Sequence, residues 1–286
     1  MAQEREIATR LVSLGELLEI IAAIRAIAAT QMQQALRSLE AIRRYSDTIH
    51  AALSDAAQML PSEGRALVAV EVSKSGLIVF CAEHGLCGGF NEQLARVAEQ
   101  IPGENRGQFV IIMVGSRGGQ ICRERGLKPD LVLPMATHGA GVTAVARRLA
   151  TEVYGMLSNG RIVGLEAIYA QHADGEAISI ERHRVLPLEA PAIAPQSAQL
   201  APLINLGPRR LFDDIVAEYF FAALENAAMQ SFFSENLMRF RTMEATRHNI
   251  ENKSQELTKL ARRLRQEAVT NEILDLIGGT QALLFE

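Results

Sequence analysis

Three glycines, a cysteine and a histidine fall within the segment 83–89, in the run Glu-His-Gly-Leu-Cys-Gly-Gly-Phe-Asn at 83–91. This run follows a predicted strand and precedes a predicted helix. Glycines at such a turn let backbone amides approach a phosphate at the helix N-terminus. The spacing matches neither the dinucleotide fingerprint G-x-G-x-x-G nor the P-loop, and no lysine follows. The residues therefore favour a tight strand-to-helix turn, in which glycines permit close packing, over a nucleotide site.

Cys87 and His84 also have the residue types of a nucleophile and its base. Such a pair needs both side chains within hydrogen-bond distance and a third group that orients the histidine. The neighbouring sequence supplies neither this group nor an oxyanion site, so a buried structural cysteine is favoured. His172 and His183 are predicted on a strand pair, but two histidines without further ligands do not complete a metal site. We predict no catalytic residue, no cofactor and no metal.

A second glycine turn, Gly-Ser-Arg-Gly-Gly at 115–119, follows another predicted strand. Its Arg117 has the chemistry to contact a phosphate, although a solvated arginine in a strand-to-helix turn is the simpler interpretation.

Basic residues outnumber acidic ones along the last predicted helix. Pairs such as Glu235–Arg239 have the i,i+4 spacing of a solvated coiled-coil flank. The alternative is a positive collar that faces an acidic partner. Composition alone favours the solvated flank. The basic residues are Arg239, Arg241, Arg247, Lys253, Lys259, Arg262, Arg263 and Arg265.

The 286-residue chain is 48% hydrophobic and 22% charged, with a formal net charge of −4. These values fit a folded protein with no basic field to attract nucleic acid. Three cysteines without metal-ligand spacing indicate a reduced compartment. The first residues have no apolar core, so no signal peptide is expected. Charged residues interrupt the most apolar stretches, 17–36 and 215–233, so membrane association is expected only through a partner.

Proline and glycine divide the chain into three parts. Residues 1–60 contain no proline and one glycine, and residues 209–277 contain neither. Apolar residues recur every seven positions in the first part, which predicts a supercoil with another helix. At about 1.5 Å per residue, helices of roughly 85 and 100 Å are too long for an ordinary domain. The repeating residues are Leu14, Ile21, Ala28, Ala35, Ile42 and Ile49.

The fold class is therefore α/β: a long antiparallel two-helix coiled coil, formed by the N- and C-terminal helices, with a small Rossmann-like α/β middle domain. We expect the first helix at 1–60, the middle domain at 61–207 and the second helix at 208–286. A register that places residue 58 opposite residue 210 leaves roughly 266–286 as an unpaired tip.

Strands and helices are predicted to alternate in the middle domain. The predicted strands are 67–72, 77–81, 109–114 and a hairpin pair at 162–171 and 177–185. The predicted helices are 92–100, 117–125 and 142–157. A proline-rich linker, 187–208, leads to the second long helix.

Three motifs resemble those of the gamma subunit of F-type ATP synthases. The run 85–91 is similar to the glycine-cysteine loop of that family's middle domain. Ser-Glu-Asn at 234–236, followed by Met-Glu-Ala-Thr at 243–246, is similar to its Ser-Glu motif. The run 265–274, followed by Gly-Gly at 278–279, resembles its C-terminal signature. Because the motifs occur in the family's order along the whole chain, the chain is identified as a member of this family.

The resemblance implies a non-catalytic rotor subunit in the central stalk of a rotary ATP synthase. Rotation would couple ion flow through a membrane c-ring to conformational cycling of the catalytic beta subunits. The implied partners are three alpha subunits, three beta subunits, epsilon and the c-ring. The implied location is the cytoplasmic face of the bacterial inner membrane, with membrane contact only through partners. Regions 45–62 and 201–212 would lie nearest the c-ring and epsilon.

The resemblance and the basic collar together suggest an interface with the surrounding subunits. The sequence departs from the family pattern on the first helix. Arg25 is the only charged residue between 20 and 32, and Gln31 stands where a lysine is usual. Glu83 and His84 also replace a short polar-basic pair, and these changes suggest a divergent ATPase from a second bacterial operon. The expected interface residues are Arg239, Arg241, Arg262, Arg265, Gln266, Thr270, Glu272, Leu283, Leu284 and Phe285.

Two other functions remain open from the residues. A nucleotide-binding α/β enzyme would use the glycine turns and would be stabilised by its ligand. A structural coiled-coil tether would tolerate changes in the apolar terminal tip.

Overall fold

The computed structural model describes the backbone of residues 2–60, 74–104, 109–172, 178–188 and 204–284. It describes side chains at 5–60, 74–101, 109–172, 178–188, 204–271, 273 and 274. Contacts divide the chain into two compact units. Unit 1 comprises Met1–Ile27 and Phe240–Glu286, and unit 2 comprises Ala28–Arg239.

Two long helices and a five-stranded sheet make up the structure. The helices are α1 (Ala2–Gln58), α2 (Phe90–Glu104), α3 (Ser116–Glu124), α4 (Val142–Ser158) and α5 (Pro208–Leu284), with a 3-10 turn at Gly139–Gly141. The strands are β1 (Ser75–Phe80), β2 (Phe109–Val114), β3 (Leu131–Leu133), β4 (Gly164–His172) and β5 (Ile178–Leu186).

The sheet has the strand order β3-β2-β1-β4-β5. β1 pairs in parallel with β2 and β4, β2 pairs in parallel with β3, and β4 pairs antiparallel with the edge strand β5. β1 and β2 are buried on both faces, which explains why they read as continuous apolar runs without alternation. The predicted α/β fold is confirmed.

Helices cover both faces of this sheet in unit 2. Ile78 and Phe80 of β1 belong to an apolar cluster with α4, residues 35–42 of α1 and residues 220–237 of α5. Leu77 and Val79, which point the other way, belong to a second cluster with α2 and α3. Because successive side chains of a strand point to opposite faces of the sheet, those of β1 contact two different helical layers.

The seven-residue repeat on α1 is confirmed as its buried face. Ile21, Ala28, Ala35 and Ile42 are buried, and Leu14 and Ile49 are half-buried. The small residues Ala28 and Ala35 have no exposed surface, so neighbouring elements pack directly against the α1 backbone there. The apolar or aromatic side chains of Leu17 and Tyr45, which lie outside this repeat, are exposed.

The antiparallel register of α1 and α5 also matches its prediction. In unit 2 the Tyr45 hydroxyl donates to Glu218, the ring of His50 lies edge-on to Tyr219, and Leu53 shares an apolar cluster with Phe212. In unit 1 Arg25 forms an ion pair with Glu244. These pairs fit an alignment that places residue 58 opposite residue 210.

The observed elements differ from the predicted ones in several places. β3 and the 3-10 turn were not predicted, because three residues are too few to show a period. α2 begins two residues before its predicted start and ends four residues after its predicted end, and α3 begins and ends one residue early. The predicted strand 67–72, the hairpin turn and most of the linker lie outside the described residues.

Candidate interaction surfaces

Residues 231–236 of α5 anchor this helix to the sheet within unit 2. The Ser231 hydroxyl donates to the Phe80 carbonyl at 2.8 Å, and the Ser234 hydroxyl donates to the Ala170 carbonyl at 3.1 Å. Both carbonyls lie near the carboxyl ends of parallel strands, β1 and β4. Both serines are buried, so the hydroxyls satisfy carbonyls that water does not reach.

Glu235 of the Ser-Glu motif forms a buried ion pair with Arg239. The Arg239 guanidinium lies 2.5 Å from the Glu235 carboxylate, and their side chains are 14% and 6% exposed. Arg239 also donates to Asn236 Oδ1 at 3.2 Å and to the Gly85 carbonyl at 3.3 Å. Burial raises the pKa of Glu235 to about 7, against the opposing attraction of Arg239, and the Glu83 carboxylate adds to the rise. Arg239, a predicted interface residue, has these acceptors within its own unit.

The side chain of Asn91 stabilises the glycine-cysteine loop, residues 85–91, through two contacts. Its side-chain oxygen accepts from the Ala82 amide at 2.9 Å, and its amide group lies 3.7 Å from Cys87 Sγ. Leu86 and Gly88 have φ values of 63° and 57°, a left-handed conformation that explains the glycine but strains the leucine. The segment is the tight strand-to-helix turn that its composition favoured.

Cys87 lacks the geometry of a nucleophile. Its thiol is buried and lies 3.8 Å from the backbone carbonyl of His84, whose own side chain is exposed. Burial raises the pKa of the Cys87 thiol to about 11. The thiolate that a nucleophile requires is therefore disfavoured.

A carboxylate of the chain itself occupies the second glycine turn. Glu83 Oε2 accepts from the backbone amide of Ser116, the first residue of α3, at 3.0 Å, and from that of Met135 at 2.8 Å. This is the position that a phosphate takes at a helix N-terminus. Burial opposes ionisation of Glu83, but these hydrogen bonds outweigh it and lower its pKa. Arg117 is exposed and donates to Gln120, as a solvated arginine does.

Glu83 and Gln31, two departures from the family pattern, thus have structural roles that the sequence did not reveal. Gln31 Oε1 accepts from the Gly139 amide at 3.1 Å, within unit 2. A lysine at this position has no acceptor and does not make this bond. The only sequence signal was the unusual residue type at each position.

His172 and His183 do not form a site together. His183 pairs with Ala167 across the hairpin, whereas His172 lies five residues farther along β4, roughly 17 Å away at strand spacing. Among the described residues, no group of three or more His, Cys, Asp or Glu side chains is arranged to hold a metal ion.

The basic residues of unit 1 divide into paired and unpaired sets. Arg263 pairs with Glu267 at 2.8 Å, and Lys253 pairs with Glu256 at 2.9 Å. Within the described part of the chain, Arg241, Lys259, Arg262 and Arg265 form no ion pair.

The predicted interface residues of unit 1 lie mostly on exposed positions of α5. Arg262, Arg265, Gln266 and Thr270 are exposed, whereas Arg241 is half-buried. The side chains of Glu272, Leu283 and Leu284, and the whole of Phe285, lie outside the described residues.

Exposed apolar side chains on the part of α1 within unit 1 were not predicted from the sequence. Val12, Ile20 and Ile27 of α1 are exposed, although the buried seam passes close by at Leu14 and Ile21. Ile20 and Ile27 are seven residues apart, one position before the seam, so the pattern was visible as a second stripe. Large exposed apolar groups mark protein–protein or membrane contacts. Within the described residues, no helix has the length and apolar character needed to cross a membrane.

Comparison with known proteins gives matches along the whole chain. The family model described as ATP synthase matches residues 3–283. The ATP synthase gamma chain of Bacteroides thetaiotaomicron is 26% identical over 297 residues, which cover 98% of this chain and 99% of the relative. The gamma chain of Pelotomaculum thermopropionicum is 25% identical and covers 99% of this chain and 100% of the relative.

Solved structures share the fold. A chain of the Euglena gracilis mitochondrial ATP synthase assembly of OSCP, F1 and c-ring has a TM-score of 0.67 at 13% identity. The match covers 99% of this chain and 95% of that chain. A chain of the central stalk and c-ring of the Tetrahymena thermophila mitochondrial ATP synthase has a TM-score of 0.59 at 17% identity. That match covers 79% of this chain and 99% of the other.

Proposed function

This chain belongs to the ATP synthase family of gamma chains, and we propose that it is the central-stalk rotor subunit of a rotary ATP synthase. The observation that carries the proposal is the family match over residues 3–283, combined with a fold of two long helices around an α/β sheet. Relatives that match over nearly their whole length are named gamma chains.

In this role the chain is a non-catalytic subunit. Its partners are a ring of three alpha and three beta subunits, the epsilon subunit and the c-ring. Rotation of an asymmetric shaft favours one conformation of each beta subunit over another in turn, so it redistributes conformational populations without chemistry of its own. The chain reaches the cytoplasmic face of the bacterial inner membrane through these partners.

The chemistry of the glycine turns supports a non-catalytic role. The Ser116 amide at the start of α3 is bound to Glu83, and the thiol of Cys87 is buried. An incoming phosphate at this helix would have to displace a carboxylate that makes two backbone hydrogen bonds. The glycine turns therefore give little support to the alternative of a nucleotide-binding enzyme.

We assign the contact with the ring to the exposed residues of α5 in unit 1. Arg262 and Arg265 are exposed and form no ion pair among the described residues, so their charges are available to acidic groups of a partner. Exposed apolar residues such as Ile273 and Leu274 follow on the same helix. Gln266, Thr270, Glu272, Leu283, Leu284 and Phe285 complete this proposed surface.

The test is co-purification with the ATPase subunits of the native host. A tag is inserted at Asn159–Gly160, an exposed turn after α4, so that both long helices stay intact. Recovery of alpha and beta subunits in threefold excess over this chain supports the rotor role. Recovery of the chain alone, or with unrelated proteins, refutes it.

Charge reversal then tests the surface itself. The double variant Arg262→Glu, Arg265→Glu is compared with Arg263→Gln, which removes an exposed charge that is already paired within the chain. An exposed ion pair contributes up to about 1 kcal/mol, so loss of two weakens assembly on the order of tenfold or more. Equal assembly by the double variant and the control would place the contact elsewhere.

A further inference from the structure

Two cysteines that the rotor role does not use lie against each other in the sheet domain. Cys81 directly follows β1, and Cys122 is on α3; both belong to the same apolar cluster and are 1% and 0% exposed. Each thiol is the largest influence on the pKa of the other, raising that of Cys81 and lowering that of Cys122. A disulfide requires two cysteines that are neighbours in the fold, as these are.

The backbone holds both cysteines in this position. The Cys81 amide donates to the Val114 carbonyl at 2.7 Å, and the Gly118 amide donates to the Ala82 carbonyl at 3.3 Å. A Cβ atom placed on Gly118 would lie 2.0 Å from Cys81 Cβ and 2.6 Å from Cys81 Sγ. The Cys81 side chain therefore rests directly on α3 at Gly118. Cys122 is one helical turn farther along the same face of α3.

We propose that Cys81 and Cys122 are a redox-active pair that forms a reversible intramolecular disulfide. This inference stands apart from the rotor role, because it rests only on contacts inside unit 2. The oxidant is a peroxide: the Cys122 thiolate attacks one peroxide oxygen, the O–O bond breaks, and Cys122 becomes a sulfenic acid as water leaves. The Cys81 sulfur then attacks Cys122 Sγ, the S–S bond forms, and a second water leaves. A dithiol reductant reverses the reaction by thiol–disulfide exchange.

The environment of the two sulfurs assigns these roles. The hydrogen bond from Cys81 lowers the pKa of the Cys122 thiol. The same hydrogen bond and burial raise the pKa of Cys81. Cys122 also lies on α3, the helix that must open to admit a peroxide, whereas Cys81 directly follows the central strand β1. Cys122 is therefore assigned as the attacking thiolate and Cys81 as the thiol that resolves the sulfenic acid.

Access for the peroxide requires local opening of α3. This helix has nine residues, and two of them are glycines, which are poor helix formers. Short, weakly stabilised segments open far more often than the whole domain unfolds. We therefore expect slow oxidation that depends on this local opening.

A disulfide here would join α3 to the start of the loop that Arg239 contacts through the Gly85 carbonyl. Oxidation would stiffen the carboxyl end of the sheet, where Ser231 and Ser234 anchor α5. The modification thus acts on the connection between α5 and the sheet.

The experiment treats the reduced full-length chain with hydrogen peroxide, then blocks the remaining thiols with N-ethylmaleimide after unfolding. Peptide mapping by mass spectrometry identifies the linked residues. We expect loss of two alkylatable thiols, a peptide that links Cys81 to Cys122, a free Cys87 and full recovery with dithiothreitol. The variant Cys87→Ser should form the same link, and Cys122→Ser should form none.

The same oxidation in concentrated urea is the control for the role of the fold. Without structure, loop closure favours the short Cys81–Cys87 pair over the distant Cys122. A native product dominated by Cys81–Cys87, by dimers or by sulfinic acid at Cys122 would overturn the proposal, as would three thiols that all remain alkylatable. The mapping of the unmutated chain decides the question even if a variant fails to fold.

Discussion

Glu235 makes the stability of this protein depend on pH in a direction opposite to that of most carboxylates. The residue is buried in α5, where burial raises its pKa from 4.5 to about 7 in spite of the neighbouring Arg239. In the unfolded chain the carboxyl ionises near its ordinary pKa. The folded state therefore retains a proton that the unfolded state has already released.

The sign and size of the effect follow from this difference. Below about pH 4.5 both states hold the proton, and Glu235 contributes no pH dependence. Between about 4.5 and about 7 only the folded state holds it, so the free energy of unfolding falls as pH rises. At 1.36 kcal/mol per pKa unit, the loss amounts to about 3 kcal/mol by pH 8.

The substitution Glu235→Gln removes this titration and keeps the size and polarity of the protonated carboxyl. We expect the variant to gain stability relative to the unmutated chain as pH rises from 5 to 8, by about 3 kcal/mol at most. Because the chain contains no tryptophan, urea unfolding is followed by circular dichroism at each pH. Only the difference between the two proteins is used, which cancels every other titrating group.

A matched control uses Glu251→Gln, which breaks another i,i+4 pair on α5. Glu251 and its partner Arg247 are each 39% exposed, so neither has left water as Glu235 has. The control should follow the pH dependence of the unmutated chain. If Glu235→Gln also follows it, or loses relative stability as pH rises, the assignment of a proton to folded Glu235 is refuted.

Three further predictions test packing and strand-end hydrogen bonding. Gly118→Ala should destabilise the chain by roughly 1–3 kcal/mol in thermal melts, because the new methyl group would overlap Cys81. The control Gly155→Ala, with nothing within 4 Å of the new methyl group, should stabilise the chain by about 0.5–1 kcal/mol. Glu83→Ala should cost about 1–3 kcal/mol at neutral pH by leaving two backbone amides unpaired. Because hydrogen bonds lower its pKa, this contribution is present above the ordinary carboxyl range and should shrink as pH falls below it. Ala35→Leu should cost roughly 1–3 kcal/mol in urea unfolding, because residue 35 has no exposed surface and no room for a larger side chain. The neighbouring Leu36 side chain is 51% exposed, so Leu36→Ala should change stability by about 0.5 kcal/mol or less.

The fold was predictable because its strongest signals are long and periodic. The seven-residue repeat of α1 extends over many turns, so it identified both the helix and its buried face. The apolar run 109–114 stood out for a similar reason and became β2 with the same bounds. β3 has three residues, and its strand character arises from pairing with β2, which no local pattern encodes.

The candidate site was less predictable because its residues meet through the tertiary fold. Glu83 was read as an altered loop residue, whereas it binds amides of Ser116 and Met135, which are far away in sequence. Arg239 was grouped with the basic run of α5, and charge counting did not separate it from Arg262. What distinguishes the two arginines is burial, because Arg239 lies against Glu235 and the loop carbonyl of Gly85, whereas Arg262 is exposed.

This distinction bears on how a rotor of this kind transmits torque. A helix slides or turns on a sheet unless directional bonds oppose it, and apolar packing alone is non-directional. α5 has such bonds in Ser231 and Ser234, which donate to strand carbonyls, and in Arg239, which donates to the Gly85 carbonyl. These residues are therefore best understood as anchors that couple α5 to the sheet. We propose that contact with the surrounding subunits falls instead to residues such as Arg262 and Arg265, which are exposed and form no ion pair among the described residues.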